Sequence, residues 1–226
     1  MTMHTHTSSR RHPLATTLVA GALAVASLAS LQGCIALVGA GAVAGGLSLN
    51  DRRTGATQIE DQAIELKSGG RLREAIGDKG HVNVTSYNRI VLLSGEVPSE
   101  ADKAAAEKAI ASLEGVNNVV NELEVGPNST LSTRSSDTVI TTRVKSALID
   151  AKDIQASAVK VVTERGNVYL MGRVTEREAN HAAELARGVS GVNKVVKVFE
   201  IISEADLARM QVKTAATPAS APASSP

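Results

Sequence analysis

One segment of the chain occurs twice, and this repeat constrains the fold more than any other feature of the sequence. Residues 91–125 align with residues 168–201. The matched positions are Val91, Leu93, Gly95 and Val97 with Val168, Leu170, Gly172 and Val174, and Gly115, Val116, Val119 and Val120 with Gly191, Val192, Val195 and Val196. Two copies are too few for a solenoid, which needs about three stacked repeats. The repeat therefore predicts two small sister domains.

Each copy has the pattern of a β-hairpin. Apolar and polar residues alternate on both sides of a short turn, which is typical of two paired strands. We predict the turns at Asn88-Arg89 in the first copy and at Gly166-Asn167 in the second. A valine-rich segment at the end of each copy predicts a third strand.

Helices are predicted on both sides of each hairpin. Ser99 and Thr175 each precede an acidic residue by three positions, which indicates a helix N-cap after the hairpin. Residues 63–76 and 137–149 form the helices ahead of the hairpins, and Ser68-Gly69-Gly70 is expected to interrupt the first of them, at about 1 kcal/mol per glycine. The order is α-β-β-α-β twice. The predicted class is α+β, with two tandem sandwich domains, each a three-stranded mixed sheet with helices on one face.

The N-terminal segment has the order of a bacterial secretory signal. Arg10 and Arg11 precede an uncharged stretch that ends at Leu31-Gln32-Gly33-Cys34, which resembles a lipobox. Cys34 is the only cysteine, so it cannot form an internal disulfide. We therefore predict a signal peptide at residues 1–33 and an acylated Cys34, with covalent diacylglycerol and an N-acyl chain such as palmitate. No other cofactor is expected.

The position of the protein in the cell follows from the same segment. Ile35, and not aspartate, follows the cysteine. By resemblance to enteric lipoprotein sorting, the destination is the outer membrane, facing the periplasm. A Gly/Ala-rich tether is predicted at residues 34–58. The alternative is an uncleaved transmembrane helix within residues 14–49, because a span needs only about 20 apolar residues.

Charge and composition limit the possible partners. The chain has 24 Lys and Arg against 23 Asp and Glu, and removal of Arg10 and Arg11 with the signal leaves 22 against 23, a net charge of −1. With only three aromatic residues, the chain lacks the basic field and the stacking platforms of a nucleic-acid-binding protein. The Pro-, Ala- and Ser-rich C-terminus predicts a disordered tail at residues 204–226.

The repeated unit resembles a known family. Its Val-x-Leu-x-Gly-x-Val strand, its alanine-rich helix and the return strands "GVNNVVN" and "GVNKVVK" are similar to the BON domain, a bacterial periplasmic module of α-β-β-α-β form. On this resemblance the first domain occupies residues 59–126, the linker 127–136 and the second domain 137–203. Two such domains behind an acylated cysteine imply a lipoprotein that supports outer-membrane integrity and cell division.

The resemblance also implies that the second domain binds anionic phospholipid, such as phosphatidylglycerol or cardiolipin, through its first helix. Asp137 or Ser136 is predicted to cap this helix. The buried stripe is predicted to be Ile140, Val144 and Leu148, spaced by four residues. The predicted lipid-binding residues are Val139, Thr142, Arg143, Lys145 and Ser146.

Two features of this helix bear on lipid binding. A basic residue near an anionic surface contributes about 1 kcal/mol. Val139 stands where the resemblance leads us to expect an aromatic residue, the type favoured at a membrane interface. The alternative is an ordinary solvated helix, on which Arg143 and Lys145 serve solubility.

Catalysis has little support in the sequence. Of the histidines beyond the signal peptide, His81 and His181 lie in no HExxH motif, and the chain has no GxSxG. His181 has Glu178 and Glu184 at helical spacing, but a solvated helix surface is the simpler interpretation. We expect no enzyme and no metal site.

A third possibility is a non-catalytic adaptor. The two copies differ in sequence, since Tyr87 of the first corresponds to Glu164 of the second. Different surfaces permit one domain to bind a protein partner of the envelope, such as outer-membrane assembly machinery.

Overall fold

The computed structural model describes residues 51–215, with side chains to Met210. The predicted signal peptide, Cys34 and the predicted tether up to Asn50 lie outside the described residues. The described residues belong to one compact unit, which contains both domains. Its elements are α1 (Gly55–Ile76), β1 (His81–Tyr87), β2 (Ile90–Val97), α2 (Glu100–Ala111), β3 (Asn118–Val125), α3 (Leu131–Asp150), a 3₁₀ turn (Ala156–Ala158), β4 (Val159–Glu164), β5 (Asn167–Val174), α4 (Glu176–Arg187), β6 (Lys194–Ile201) and α5 (Glu204–Ala215).

The strands form two three-stranded sheets of identical topology, in the orders β1-β2-β3 and β4-β5-β6. In each, the first two strands are antiparallel and the last two are parallel. The predicted α-β-β-α-β units and the mixed sheets are confirmed. No helix within residues 51–215 is long and apolar enough to cross a membrane.

The repeated strand motif faces the helices. In the first domain Val91, Leu93 and Val97 are buried against apolar residues of α1 and α2, and the matching residues of β5 do the same in the second domain. The glycine of the motif allows the neighbouring strand to come close. A Cβ on Gly95 would lie 2.0 Å from the carbonyl oxygen of His81, and a Cβ on Gly172 would lie 2.3 Å from that of Ala158.

The alternate positions of the same strands pack the two sheets against each other. Leu92 of β2 and Met171 of β5 are fully buried in a third apolar cluster, together with Tyr87, Tyr169 and Val198. Each sheet therefore has one face covered by its own helices and the other covered by the sister domain. The two domains therefore pack against each other through a shared apolar interface.

The N-caps after the hairpins are as predicted. The side-chain oxygen of Ser99 accepts a hydrogen bond from the Asp102 N–H, and Thr175 forms a full capping box with Glu178. The turn at Asn88-Arg89 is also confirmed, and both residues have positive φ, at 51° and 64°. The second turn was misplaced by one residue, because Glu164 pairs with Asn167 and leaves Arg165 and Gly166 at the turn.

The first helix of each domain begins earlier than predicted. Thr54 and Thr130 are the N-caps, and their hydroxyl oxygens accept from the N–H groups of Thr57 and Thr133. The proposed capping by Ser136 or Asp137 is wrong, because both residues lie inside α3. The early turns of α3 are polar and carry no apolar stripe, so hydrophobic periodicity does not reveal them.

The expected interruption of the first helix is also wrong. Helix α1 continues through Ser68, Gly69 and Gly70. The Ser68 hydroxyl donates to the carbonyl of Ile64, 2.7 Å away. Buried residues on both sides of the glycines pack against the sheet, and this tertiary packing outweighs the low helix propensity of glycine.

The predicted tail contains a further helix. Helix α5 covers Glu204–Ala215, and the Ser203 side chain accepts from the Asp206 N–H at 3.0 Å. Leu207 is buried, so an apolar contact helps to hold this helix. The prediction of disorder is therefore wrong for residues 204–215, and residues 216–226 lie outside the described part of the chain.

Candidate functional site

The predicted lipid-binding residues lie on the outer surface of α3. Val139, Thr142, Arg143, Lys145 and Ser146 are all exposed. The buried stripe of Ile140, Val144 and Leu148 is confirmed, and it packs against the second sheet. The helix therefore presents these five residues together to solvent, on the side opposite the core.

The positive charges on this surface are Arg143 and Lys145. Among residues 51–210, no carboxylate forms an ion pair with Arg143 or Lys145. The helix sequence contains no acidic residue between Thr138 and Ile149. The two cations are therefore available to an anion outside the protein.

Apolar residues accompany the two cations on α3. Val139 is 48% exposed, Ile149 70% and Leu131 81%. Leu131, Lys145 and Ile149 fall on one ridge of the helix, because residues three, four and seven apart share a face. The predicted helix began six residues too late, so it excluded Leu131. Ile149 lies at its C-terminal end, beyond the residues from Val139 to Ser146 that were predicted to bind lipid.

Asp137 holds α3 against its own hairpin. Its carboxylate accepts hydrogen bonds from the N–H groups of Arg165 and Gly166, at 2.9 and 2.8 Å. Those two residues form the tight turn between β4 and β5 and have positive φ. The carboxylate thus satisfies the turn's backbone and fixes the position of the helix.

Asp61 has the same role in the first domain, 76 residues earlier. It accepts from the N–H groups of Asn88 and Arg89, both at 2.8 Å, and from the Ser86 hydroxyl at 2.6 Å. Burial acts to raise the pKa of Asp61, but these hydrogen bonds, with one from Arg53, hold it below its usual value. The matching aspartates are therefore structural in both domains.

The end of the predicted tether joins the two domains. Arg52 binds the carboxylate of Glu178 in the second domain at 2.7 and 2.8 Å. Arg53 binds Asp61 of the first domain at 2.8 Å and lies 4.1 Å from the ring centre of Tyr87. Residues 51–58 are thus ordered, in contrast to the prediction of a tether to residue 58.

The environment of this segment shifts two pKa values. The pKa of Tyr87 is raised to about 12, first by burial and then by the charge of Asp51. The positive charges of Arg53 and Arg52 act in the opposite direction. Burial acts to raise the pKa of Glu178, but the hydrogen bond from Arg52 and one from the Thr175 backbone hold it below its usual value. Glu178 therefore stays ionised beside Arg52.

The two histidines have different surroundings. His181 is partly exposed, and its Nδ1 lies 2.7 Å from Asp153. Glu178 is occupied by Arg52, so it does not join His181 in a metal-binding set. His81, by contrast, lies close to Glu96 and Glu164. Sequence spacing did not indicate this group, because its members lie on three strands from both domains.

The pKa of Glu164 in that group is raised above its usual value. Burial raises the pKa of Glu164, and the charge of Glu96 adds to the effect. A hydrogen bond from the Asn83 side chain, 2.7 Å long, acts in the opposite direction.

Both domains match a known protein family, and most of the chain aligns with a named relative. The BON domain model matches residues 60–127 and 136–203. The chain is 43% identical over 175 residues to Outer membrane lipoprotein DolP of Haemophilus influenzae, an alignment that covers 76% of this chain and 90% of that protein.

Two further relatives are more distant. The chain is 36% identical over 154 residues to the 21 kDa hemolysin of Actinobacillus pleuropneumoniae, covering 67% of this chain and 79% of that protein. It is 30% identical over 141 residues to Osmotically-inducible protein Y of Escherichia coli, covering 61% and 70% respectively.

Proposed function

Because this chain belongs to the BON-domain family and carries two BON domains in tandem, we propose that it is an outer-membrane lipoprotein whose second domain binds anionic phospholipid. Acyl chains on Cys34 anchor it, and the domains face the periplasm. The name of the Haemophilus relative and the lipobox-like Leu31-Gln32-Gly33-Cys34 support the anchor. The protein acts in outer-membrane integrity by binding and not by catalysis.

The outer surface of α3 is the observation that carries the lipid-binding proposal. Arg143 and Lys145 lie there next to the exposed Val139 and Ile149, and neither forms an ion pair with a carboxylate of residues 51–210. A surface that combines basic and apolar groups suits the headgroup region of a membrane, where phosphates and acyl chains are both within reach. Hydroxyls of Thr142 and Ser146 add hydrogen-bonding groups for phosphate oxygens.

The packing of the two sheets limits which surfaces are available for a membrane. One face of each sheet is covered by helices, and the other by the sister domain. The helices therefore supply the broad outer surfaces of the molecule. Helix α1 carries charges of both signs, whereas the middle of α3 carries only positive ones.

The anchor and the helix act together. Each basic residue contributes about 1 kcal/mol near an anionic surface, so α3 alone binds weakly. Stable attachment takes two signals, such as acyl chains and a basic patch. The acyl chains on Cys34 raise the local concentration of lipid around α3, and the helix then samples headgroups without leaving the membrane.

Liposome flotation tests this proposal. The chain from Ser48 onward, which lacks the anchor, is mixed with neutral vesicles or with vesicles that contain phosphatidylglycerol or cardiolipin. We expect flotation only with the anionic vesicles, and its loss when Arg143 and Lys145 are both changed to Glu. The matched control changes Lys67 and Arg71 to Glu, because both are exposed on α1 of the first domain.

The control separates specific binding from bulk charge. Equal loss in both double variants would contradict a lipid site on α3, because both make the same change in net charge. Absence of flotation with any vesicle would leave the acyl chains as the only membrane contact.

A protein-binding role is the second candidate. Ile59 and Leu66 of α1 are exposed and seven residues apart, so they share one face of the helix. An apolar pair on the first domain suits an envelope protein partner, such as a component of outer-membrane assembly. Copurification that is lost on changing Ile59 and Leu66 to Ser, with flotation intact, would support this role.

A further inference from the structure

Three metal-ligating side chains meet where the two domains touch. His81 of β1 and Glu96 of β2 belong to the first domain, and Glu164 of β4 belongs to the second. One ligand atom from each lies within 4.8 Å of the others. Glu96 is fully buried and Glu164 is 6% exposed. We call these three residues the seam cluster.

In the described part of the chain, the two carboxylates of the seam cluster share a single contact with a guanidinium, that of Arg165 with Glu96. Glu96 accepts from the Ser129 N–H at 3.0 Å, and its other oxygen accepts a long hydrogen bond, 3.4 Å, from the partly exposed guanidinium of Arg165. That guanidinium also approaches Glu124, at 3.7 Å. Among the described residues, the hydrogen-bond donor to Glu164 is the neutral amide of Asn83. Buried charges are costly unless they are paired, so the cluster favours a further cation.

His81 has a ring nitrogen without a partner. Its Nδ1 is inaccessible to solvent and forms no hydrogen bond with any described residue, although it lies 3.5 Å from a carboxylate oxygen of Glu96. Buried polar atoms are nearly always hydrogen-bonded, so an orphaned imidazole nitrogen beside two carboxylates points to an unseen ligand. A neutral imidazole nitrogen is a common metal ligand.

The repeat alone does not create this cluster. At the other end of the interface, the positions that match His81, Glu96 and Glu164 are held by Ala158, Arg173 and Tyr87. There Arg53 lies against Tyr87, and Arg173 pairs with Glu200 at 3.0 Å. The two ends of the interface are therefore chemically different, and metal-ligating residues gather at only one of them.

A groove at the surface reaches two members of the seam cluster, His81 and Glu164. The groove has a volume of about 430 Å³, and these two residues line it together with Asn83, Asp137, Thr138 and Lys145. The groove gives a metal ion a path to the cluster and leaves room for a water molecule as a further ligand.

We propose that His81, Glu96 and Glu164 bind one divalent transition metal of the zinc class. Zinc takes imidazole nitrogen and carboxylate oxygen at about 2.0–2.2 Å, and three protein ligands leave one position for water. Magnesium and calcium prefer oxygen ligands, so the histidine selects against them. Since the ligands come from both domains, the metal cross-links them and stabilises their contact.

Calorimetric titration with zinc chloride tests the proposal. The protein is the chain from Ser48 onward, purified without a histidine tag. Starting the chain at Ser48 also removes His4, His6 and His12. We expect one zinc ion per chain and no heat with magnesium chloride. Zinc at a hundredfold excess over its Kd raises the Tm by about 5–10 °C, and a chelator reverses the change.

Variants assign the binding to the seam cluster. His81→Ala and Glu164→Gln each weaken zinc binding at least tenfold. His181→Ala is the matched control and leaves it unchanged, because His181 lies in the exposed pair with Asp153. Retention of zinc by His81→Ala, or its loss in His181→Ala, would overturn the proposal, as would absence of binding at 1 mM zinc.

A second measurement does not depend on any variant folding. The ring protons of His81 and His181 are followed by NMR in the parent protein while zinc is added. We expect the His81 signals to shift and those of His181 to stay. Unchanged His81 signals at saturating zinc would also contradict the assignment.

Discussion

Arg52 and Glu178 form a buried ion pair between the start of the described chain and the capping box of α4. The guanidinium and the carboxylate are joined by two hydrogen bonds and are 5% and 4% exposed. Arg52 also donates to the carbonyl of Arg173, 2.8 Å away. The segment that leads toward Cys34 is therefore fixed to the second domain, at the N-terminus of α4.

The first prediction concerns this pair. Arg52→Ala leaves the Glu178 carboxylate buried without its partner, and we expect a loss of about 3 kcal/mol in the free energy of unfolding. Urea denaturation at pH 7 measures it. The matched control is Arg73→Ala, because the Arg73–Asp78 pair is highly exposed and 3.9 Å long, and it is worth less than about 1 kcal/mol. Similar losses in both variants would contradict the account.

The second prediction concerns the pH dependence that comes from Asp61. Its pKa is lower in the folded chain than in the unfolded one. The stability that it contributes is therefore fully present above the unfolded pKa and is lost as the pH falls through the folded pKa. Asp61→Asn should cost about 2 kcal/mol at pH 7, since it weakens several hydrogen bonds to a charged acceptor.

The measurement is urea unfolding from pH 7 to pH 2. We expect the difference between Asp61→Asn and the parent to shrink as the pH falls below about 4. Asp78→Asn is the control, because the Asp78 side chain is 94% exposed. A difference that stays constant over the whole range would show that the charge of Asp61 is not involved.

Some of these features could be predicted from the sequence, and others could not. The alternation around Gly95 and the caps at Ser99 and Thr175 are local patterns, and they correctly predicted the strands around Gly95 and the two helices that follow the hairpins. The same alternation marks Leu92 and Met171 as a second apolar face, but no local pattern says that a sister sheet covers it. Only the fold brings such distant residues together.

In the candidate site, too, the sequence indicates some residues, and only the fold brings others together. Helical periodicity places Arg143 and Lys145 off the buried stripe, and their exposure agrees with it, whereas a role in lipid binding is implied by the family resemblance. The role of Asp137 was misread, because a carboxylate before an apolar stripe resembles an N-cap, whereas its partners are N–H groups 28 and 29 residues later. The seam cluster joins residues of two domains, so no spacing rule could indicate it.

The third prediction concerns the sheet-on-sheet interface. Leu92→Ala removes apolar contacts between the domains and should cost about 3 kcal/mol, as for other buried leucines. Leu66→Ala is the control, since Leu66 is exposed and should change stability by less than about 0.5 kcal/mol. Thermal unfolding measures both. A loss below 1 kcal/mol for Leu92→Ala would mean that the domains do not depend on each other.

The fourth prediction concerns Val139. Val139→Trp adds apolar area and a ring N–H at a position suited to the membrane interface. The additional apolar area that the membrane buries should contribute about 1 kcal/mol of binding free energy, which strengthens binding to phosphatidylglycerol vesicles about fivefold. Vesicle cosedimentation measures it, and Ile59→Trp, the same new residue on α1, is the control. Equal gains from both variants would indicate adhesion of any exposed tryptophan rather than a site on α3.

The most direct test of the lipid-binding account is to map the contact residue by residue. NMR spectra of the isotope-labelled chain from Ser48 onward are recorded with nanodiscs that contain phosphatidylglycerol and, separately, only neutral lipid. We expect signal loss confined to α3, strongest around Val139, Arg143 and Ser146, and only with the anionic lipid. Signal loss centred on α1, or none with either lipid, would contradict phospholipid binding by the second domain.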